Sequence, residues 1–316
     1  MSNQIKNHIV LARETVWGTP VTPSKLIPVN FTGGIQTNQD IQMVSSLKAK
    51  LPKNFDAFVG NRMHEGDYEM AFYPDTLGYF LMSAFGADTI TEPEAGVVYK
   101  HEFNEAETKP SLTIEQKIGE NVRRFAGGIA HTLKVSSAPG EVVVFAPSLM
   151  AKSQAFEASP VTPAPTNIAA FDFAQCSIEI NDVALTEIQN FEIEFRNNLQ
   201  MKHTLGANDP RYNYVQGSEV VGSLEGYLDA TTLSALVNKF HSKDFVKAEL
   251  IITGVTIGAS SNYKFEIAVP KAVLTTCETP LGDEYNFVTV EFEGIYDSVS
   301  DYLTRWILTN LTPAYT

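Results

Sequence analysis

The feature that most narrows the fold is a near-strict alternation of apolar and polar residues in short runs. Phe191-Glu-Ile-Glu-Phe195, Tyr263-Lys-Phe-Glu-Ile-Ala-Val269 and Phe287-Val-Thr-Val-Glu-Phe-Glu293 place an apolar side chain at about every second position. Successive side chains of a strand point to opposite faces, so such runs predict antiparallel sheets with one packed face and one wet face. Residues 176–180 and 247–253 repeat the pattern. Residues 26–31, 112–116, 129–135 and 141–145 supply strands in the first half. Nineteen phenylalanines and twelve tyrosines fit a pleated surface. The fold class is mainly β, of the α+β kind.

A proline-rich seam divides the chain. Residues 156–167 read Phe-Glu-Ala-Ser-Pro-Val-Thr-Pro-Ala-Pro-Thr-Asn. Pro160, Pro163 and Pro165 remove donors and fix φ, which excludes a helix or central strand there. The two halves share one plan. In the first, Gly66-Asp-Tyr-Glu-Met-Ala-Phe-Tyr73 leads past Asp75 into a helical spacing at Leu77, Phe80, Leu81, Ala84 and Phe85. In the second, Val220-Val-Gly-Ser-Leu-Glu-Gly-Tyr227 leads past Asp229 into Leu233, Leu236, Val237 and Phe240. Each aspartate is placed to cap its helix, and each helix presents one apolar face to a sheet. The expected organisation is an extended arm (1–28) carrying two Thr-Pro steps, a domain (29–155), a linker (156–168) and a second domain (169–316). Each domain is a sheet or sandwich with one packed helix. Long polar loops at about 45–66 and 203–219 carry Phe55 and Phe58 in one half and Tyr212 and Tyr214 in the other.

The charge balance argues against several functions. The net charge is −14, and Arg123-Arg124 is the one basic pair, whereas nucleic-acid grip needs a basic stripe. No apolar run approaches the ~20 residues of a membrane span, and residues 1–8 lack a secretory pattern. The chain reads as cytosolic. Cys176 and Cys277 are expected as free thiols, with a disulfide left open. His8, His64, His101, His131, His203 and His241 are scattered without a second ligand type at metal spacing. No nucleophile elbow, zinc-protease helix or phosphate loop is present. No catalytic, metal or cofactor site is expected. Gly127-Gly128 reads as a turn or bulge. Arg123 and Arg124 read either as a phosphate contact or as an exposed hairpin edge suited to salt bridges between molecules. Glu179, Glu192, Glu194, Glu266, Glu291 and Glu293 recur on polar strand faces. They read as a solvated sheet face, or as a negative wall that repels passing DNA.

The stretch Ala12-Arg-Glu-Thr-Val-Trp-Gly-Thr-Pro20, with Thr22-Pro23 and Leu26-Ile-Pro-Val29, resembles the opening of tail tube proteins from long-tailed, non-contractile phages. That resemblance implies a structural subunit of a virion tail, assembled in the host cytoplasm. Such proteins stack as rings, their sheets joining into a β-barrel around a lumen for genome delivery. With two domains per chain, three subunits would make a pseudo-sixfold ring. Arg13, Trp17, Phe55, Phe58, Tyr212 and Tyr214 would then contact the adjacent ring. Partners would be other copies, a tail terminator, a tape measure and tail-tip proteins, with DNA passing unbound and no membrane involved. Two other readings stay open: a contractile-type tube or tail terminator, and a β-sandwich carbohydrate-binding module. The last needs an exposed aromatic row, which these strands lack.

Overall fold

A computed structural model describes residues 7–30, 33–45, 48, 51–162, 168–227, 230–278 and 287–315. The first half contributes β1 (His8–Arg13), β2 (Lys25–Ile27), β3 (Gln36–Ser45), β4 (Asn54–Asp67), β5 (Met70–Ala71) and α1 (Gly78–Phe85). There follow β6 (Gly86–Glu94), β7 (Val98–Glu105), β8 (Leu112–Ile118), β9 (Asn121–Ser137), β10 (Val144–Ala151) and β11 (Ser153–Phe156). The second half contributes β12 (Cys176–Ile180), β13 (Val183–Ala184), β14 (Ile188–Arg196), β15 (Leu199–Lys202), β16 (Tyr212–Val215) and β17 (Glu219–Tyr227). It ends with α2 (Ala230–Ser242), β18 (Val246–Thr256), β19 (Asn262–Glu278), β20 (Phe287–Gly294) and β21 (Arg305–Asn310). The protein is mainly β and antiparallel, as the alternation predicts.

Two strands of 17 residues, β9 and β19, organise the rest. The first part of β9 lies between β8 and β11, and its second part between β10 and β14. The first part of β19 lies between β18 and β21, and its second part pairs with β20. Each strand thus passes from one layer of a sandwich into the other. In β9 the passage falls at Gly127-Gly128, where Gly127 has φ +71, a conformation that glycine adopts without a Cβ clash. The same pairing scheme occurs twice: β2–β1–β8 matches β13–β12–β18, β11 matches β21, and β10 beside β4 and β5 matches β20 beside β17.

The halves are nonetheless packed as one body. β14 pairs with β9 and β21 pairs with β7. A single buried cluster runs through both, with Phe85 stacked on Phe195 at 4.3 Å and Phe72 against Phe265 at 4.6 Å. Sheets joined edge to edge extend one apolar face, and that face is covered most completely by a shared core.

Several expectations change. Residues 1–28 were expected outside the cores, yet β1 pairs with β2 and β8, and Val10, Leu11 and Ile27 are buried. Burying that apolar strand outweighs keeping it as a tether. Asp75 does not cap α1, whose N-cap is Leu77 with no side-chain bond. Its carboxyl instead accepts from Tyr263, and burial pushes it above the usual carboxylate range. Asp229, Pro163 and Pro165 lie outside the described residues. α1 is buried on nearly every side rather than one, because Phe195 and Trp306 meet Phe85 while Tyr315 packs on Tyr79. α2 behaves as predicted, burying Leu236 with Leu233 and Phe240 partly covered. The stretch around 45–66 is largely the β3–β4 hairpin, and 203–219 begins within the smaller β15–β16 hairpin. The β6–β7 hairpin and β21 had no counterpart among the predicted strands.

Candidate functional site

One layer forms a run in the order β3–β4–β10–β9–β14–β17–β20–β19, four strands from each half. Its apolar face carries Leu133, Val135, Phe191, Ile193, Phe195, Val290 and Phe292, all buried toward the helices and the second layer. The opposite face carries Glu192, Glu194, Glu291 and Glu293. Register sets them out as a grid: Glu192 lies across from Ser223 and then Glu291, and Glu194 across from Val221 and then Glu293. Glutamates separated by one strand therefore sit roughly 10 Å apart. These four line a 310 Å³ recess with Arg196. Lys134 reaches Glu192 at 2.6 Å and Arg196 reaches Glu194 at 2.5 Å, so the grid keeps a net negative charge.

The two remaining glutamates lie elsewhere. Glu266 is paired with Lys264 and sits between Ile251 and Ile307 in the second layer. Glu179 pairs with Glu249 on β18, also in that layer. With Asp182, Glu179 and Glu249 form an acidic group, but Lys247 already lies 2.7 Å from Asp182 and 3.0 Å from Glu249. That group is an ion-pair network. Cys176 and Cys277 are both free thiols. The expected exposed arginine edge also changes: Arg124 bridges Glu115 at 2.7 Å and Glu157 at 3.0 Å within the chain.

The Ala12–Pro20 signature is an internal clip. Glu14 is 4% exposed and accepts four hydrogen bonds: from Gly18 N (2.8 Å), Ser111 Oγ (2.6 Å), Thr113 Oγ1 (2.8 Å) and Gly127 N (2.8 Å). Full ligation is what permits a buried carboxylate. Trp17 donates to Gly127 O at 3.1 Å, with Lys152 over its ring at 4.5 Å. Arg13 donates to Tyr315 O at 3.3 Å, holding the C-terminal tail. The three side chains most diagnostic in the sequence are thus spent mainly on the chain itself. Trp17 also shares the wall of an open 710 Å³ recess with Tyr214, Glu105 and Glu107.

The projecting surfaces are the hairpins. On β3–β4, Ile41 faces Val59 and Met43 faces Ala57, while Phe58 is 52% exposed on the other side. Exposed apolar residues this concentrated mark a contact surface. Phe55 is partly covered, with Lys48 at 4.9 Å from its ring. Tyr212 and Tyr214 on β15–β16 are about half exposed. The hairpins lie side by side: Arg62 N donates to Asn208 O at 2.8 Å, and His203 Nε2 lies 2.9 Å from Arg62 O. His64 lies 3.4 Å from Asp209, and burial lowers its pKa. Sequence reading missed Glu14 as the centre of the signature. It also missed the lysines at 48, 50 and 53, a basic concentration between the strands of the longer hairpin.

A family model described as "Phage tail tube protein" matches residues 5–294, nearly the whole chain. Comparison with curated proteins finds no match. The match includes the signature, both helices and all eight strands of the acidic-faced run, and of the named elements β21 alone falls beyond it. The chain belongs to the phage tail tube protein family.

Proposed function

We propose that this structural tail protein closes as a trimer into a ring, that rings stack into a tube, and that the glutamate grid lines the lumen through which the genome leaves. The observation that carries this is the eight-strand run with helices on one face and acids on the other. Three copies would bring roughly 24 strands, and at about 4.8 Å spacing and ~40° tilt the wall would be about 48 Å across between backbones. That span passes a DNA duplex, and a net negative wall disfavours adhesion to phosphate. Closure also removes the strand edges that invite aggregation.

In this reading residues 29–155 and 169–316 act as the two quasi-equivalent ring units. The β3–β4 hairpin, with Phe55 and Phe58, and the Tyr212 and Tyr214 surface reach the adjacent ring. Tail terminator, tape measure and tail-tip proteins are the partners at the ends, and assembly takes place in the host cytoplasm. Electron microscopy of the purified protein, alone and with a tail-tip initiator, tests it. Rings with threefold symmetry are expected, and protein that never forms rings or tubes refutes the reading.

A further inference from the structure

The internal junction between the halves indicates how one copy meets the next. The second part of β9 is flanked on both sides, by β10 and by β14. Its counterpart, the second part of β19, is flanked among the described residues by β20, with β18 reaching it only at Ala272. The correspondence can be followed residue by residue. Phe145 lies opposite Met70 as Val290 lies opposite Leu224, and Val135 lies opposite Phe145 as Cys277 lies opposite Val290. Val135, covered by Ile193 of β14, is fully buried, whereas Cys277 is only partly buried. The difference is the missing neighbour.

The residues corresponding to β14 in the first half are Gly33 and Ile35, with Asn30 ahead of them. Asn30 N donates to Glu69 O and Gly34 N to Asp67 O, and Gly33 bridges Tyr68. Gly33 opposite Tyr68 stands where Ile193 stands opposite Gly222. Beside this segment runs an open groove of about 590 Å³ lined by Ile9, Ile27, Pro28, Val29, Asn30 and Gly33. In the second half the turn between β9 and β10 reaches the corresponding place: Phe173 N donates to Glu141 O and Val143 N to Phe171 O.

We infer that residues 273–277 of β19 are the docking edge for a second copy of this chain, which adds its segment from Gly33 to Thr37 as the next antiparallel strand, with Cys277 opposite Gly33. The inference rests on the ring reading and adds to it the edge, the receiving segment and the register. Main-chain hydrogen bonds supply the junction, as in any strand addition, and the bordering groove takes apolar side chains from the neighbour.

Two measurements test it. In a Cys176→Ser background, Cys277 is the sole thiol, and its alkylation rate by a small maleimide is compared between unassembled and assembled protein. Protection of at least tenfold in rings is expected. Thr275 falls at a register shift with no partner on β20, so Thr275→Pro leaves that ladder intact while blocking the open edge. This variant is expected to melt like the parent yet not form rings. Rings in which Cys277 reacts at the unassembled rate, or rings formed by Thr275→Pro, overturn the edge assignment and leave the ring reading standing. Parent protein that stays monomeric under every condition overturns both.

Discussion

Replacing Glu14 by alanine removes one acceptor group and strands four donors at once. Two are hydroxyls, Ser111 and Thr113, which can rotate toward other acceptors. Two are backbone N–H groups, Gly18 and Gly127, which cannot. A hydrogen bond to a charged group contributes about 1.5–3 kcal/mol, and each buried donor left unmade costs about 1–3 kcal/mol. Removal of the carboxylate also relieves its own desolvation, so the four losses do not simply add. A net cost of about 3–5 kcal/mol follows, in the range for breaking a buried charged network. For a chain of this length that lowers Tm by roughly 5–8 °C. Differential scanning calorimetry of unassembled protein measures it. Glu14→Gln is expected to recover only part of the loss, because its amide nitrogen would face a backbone N–H. Combining Glu14→Ala with Thr113→Val should give a coupling above about 0.5 kcal/mol. A shift below 1 °C for Glu14→Ala, or strict additivity with Thr113→Val, would refute the clip.

Gly78 has no room for a side chain, since a Cβ there would lie 1.8 Å from the Tyr315 ring; Gly78→Ala should destabilise by about 1–3 kcal/mol and expose the C-terminal tail to proteolysis. Glu94 is held at about 2 by the Ser260 backbone N–H first, then by the Ser261 side chain and the Ala259 N–H. A lowered folded value means the contribution is fully present above about 4.5 and is lost as pH falls through about 2, so Glu94→Gln should lower thermal stability at pH 7 and lower it much less at pH 2.5, as melting at both pH values will show. Exchanging Glu192, Glu194, Glu291 and Glu293 for lysine should leave tubes intact by microscopy while slowing DNA release, and unchanged ejection kinetics would sink the acidic-lumen idea. Ile41→Ser with Phe58→Ser should change the melting temperature of unassembled protein little, both being exposed, while shortening tubes; full-length tubes would remove the hairpin from the inter-ring contact.

Much of the strand content was legible because alternation is local. Residues 191–195, 263–269 and 287–293 announce their faces without reference to anything distant. β6, β7 and β21 were not legible for the complementary reason. Tyr99-Lys-His-Glu-Phe103 buries His101, whose ring nitrogens meet Asp88 at 2.8 Å and Thr312 O at 2.8 Å, so a polar residue sits where the pattern calls for an apolar one. The β3–β4 hairpin was hidden because its exposed strands carry no sustained one-faced pattern.

The sequence alone indicated that the chain is built mostly from antiparallel strands, that its halves repeat one plan, and that its opening stretch resembles that of a known family. Those are matters of periodicity, spacing and short motifs, all carried by neighbours in the chain. Tertiary structure decided which glutamates act together. Glu192 and Glu291 share one face because β17 separates their strands by register, whereas Glu266, identical in local pattern, turns to the other layer. It also decided that Glu14 is a buried hub, because its partners come from residues about a hundred positions away. Side-chain direction has a period that sequence displays. The strand that lies alongside, and hence the charge that faces it, is fixed only when distant segments compete to cover the same apolar surface.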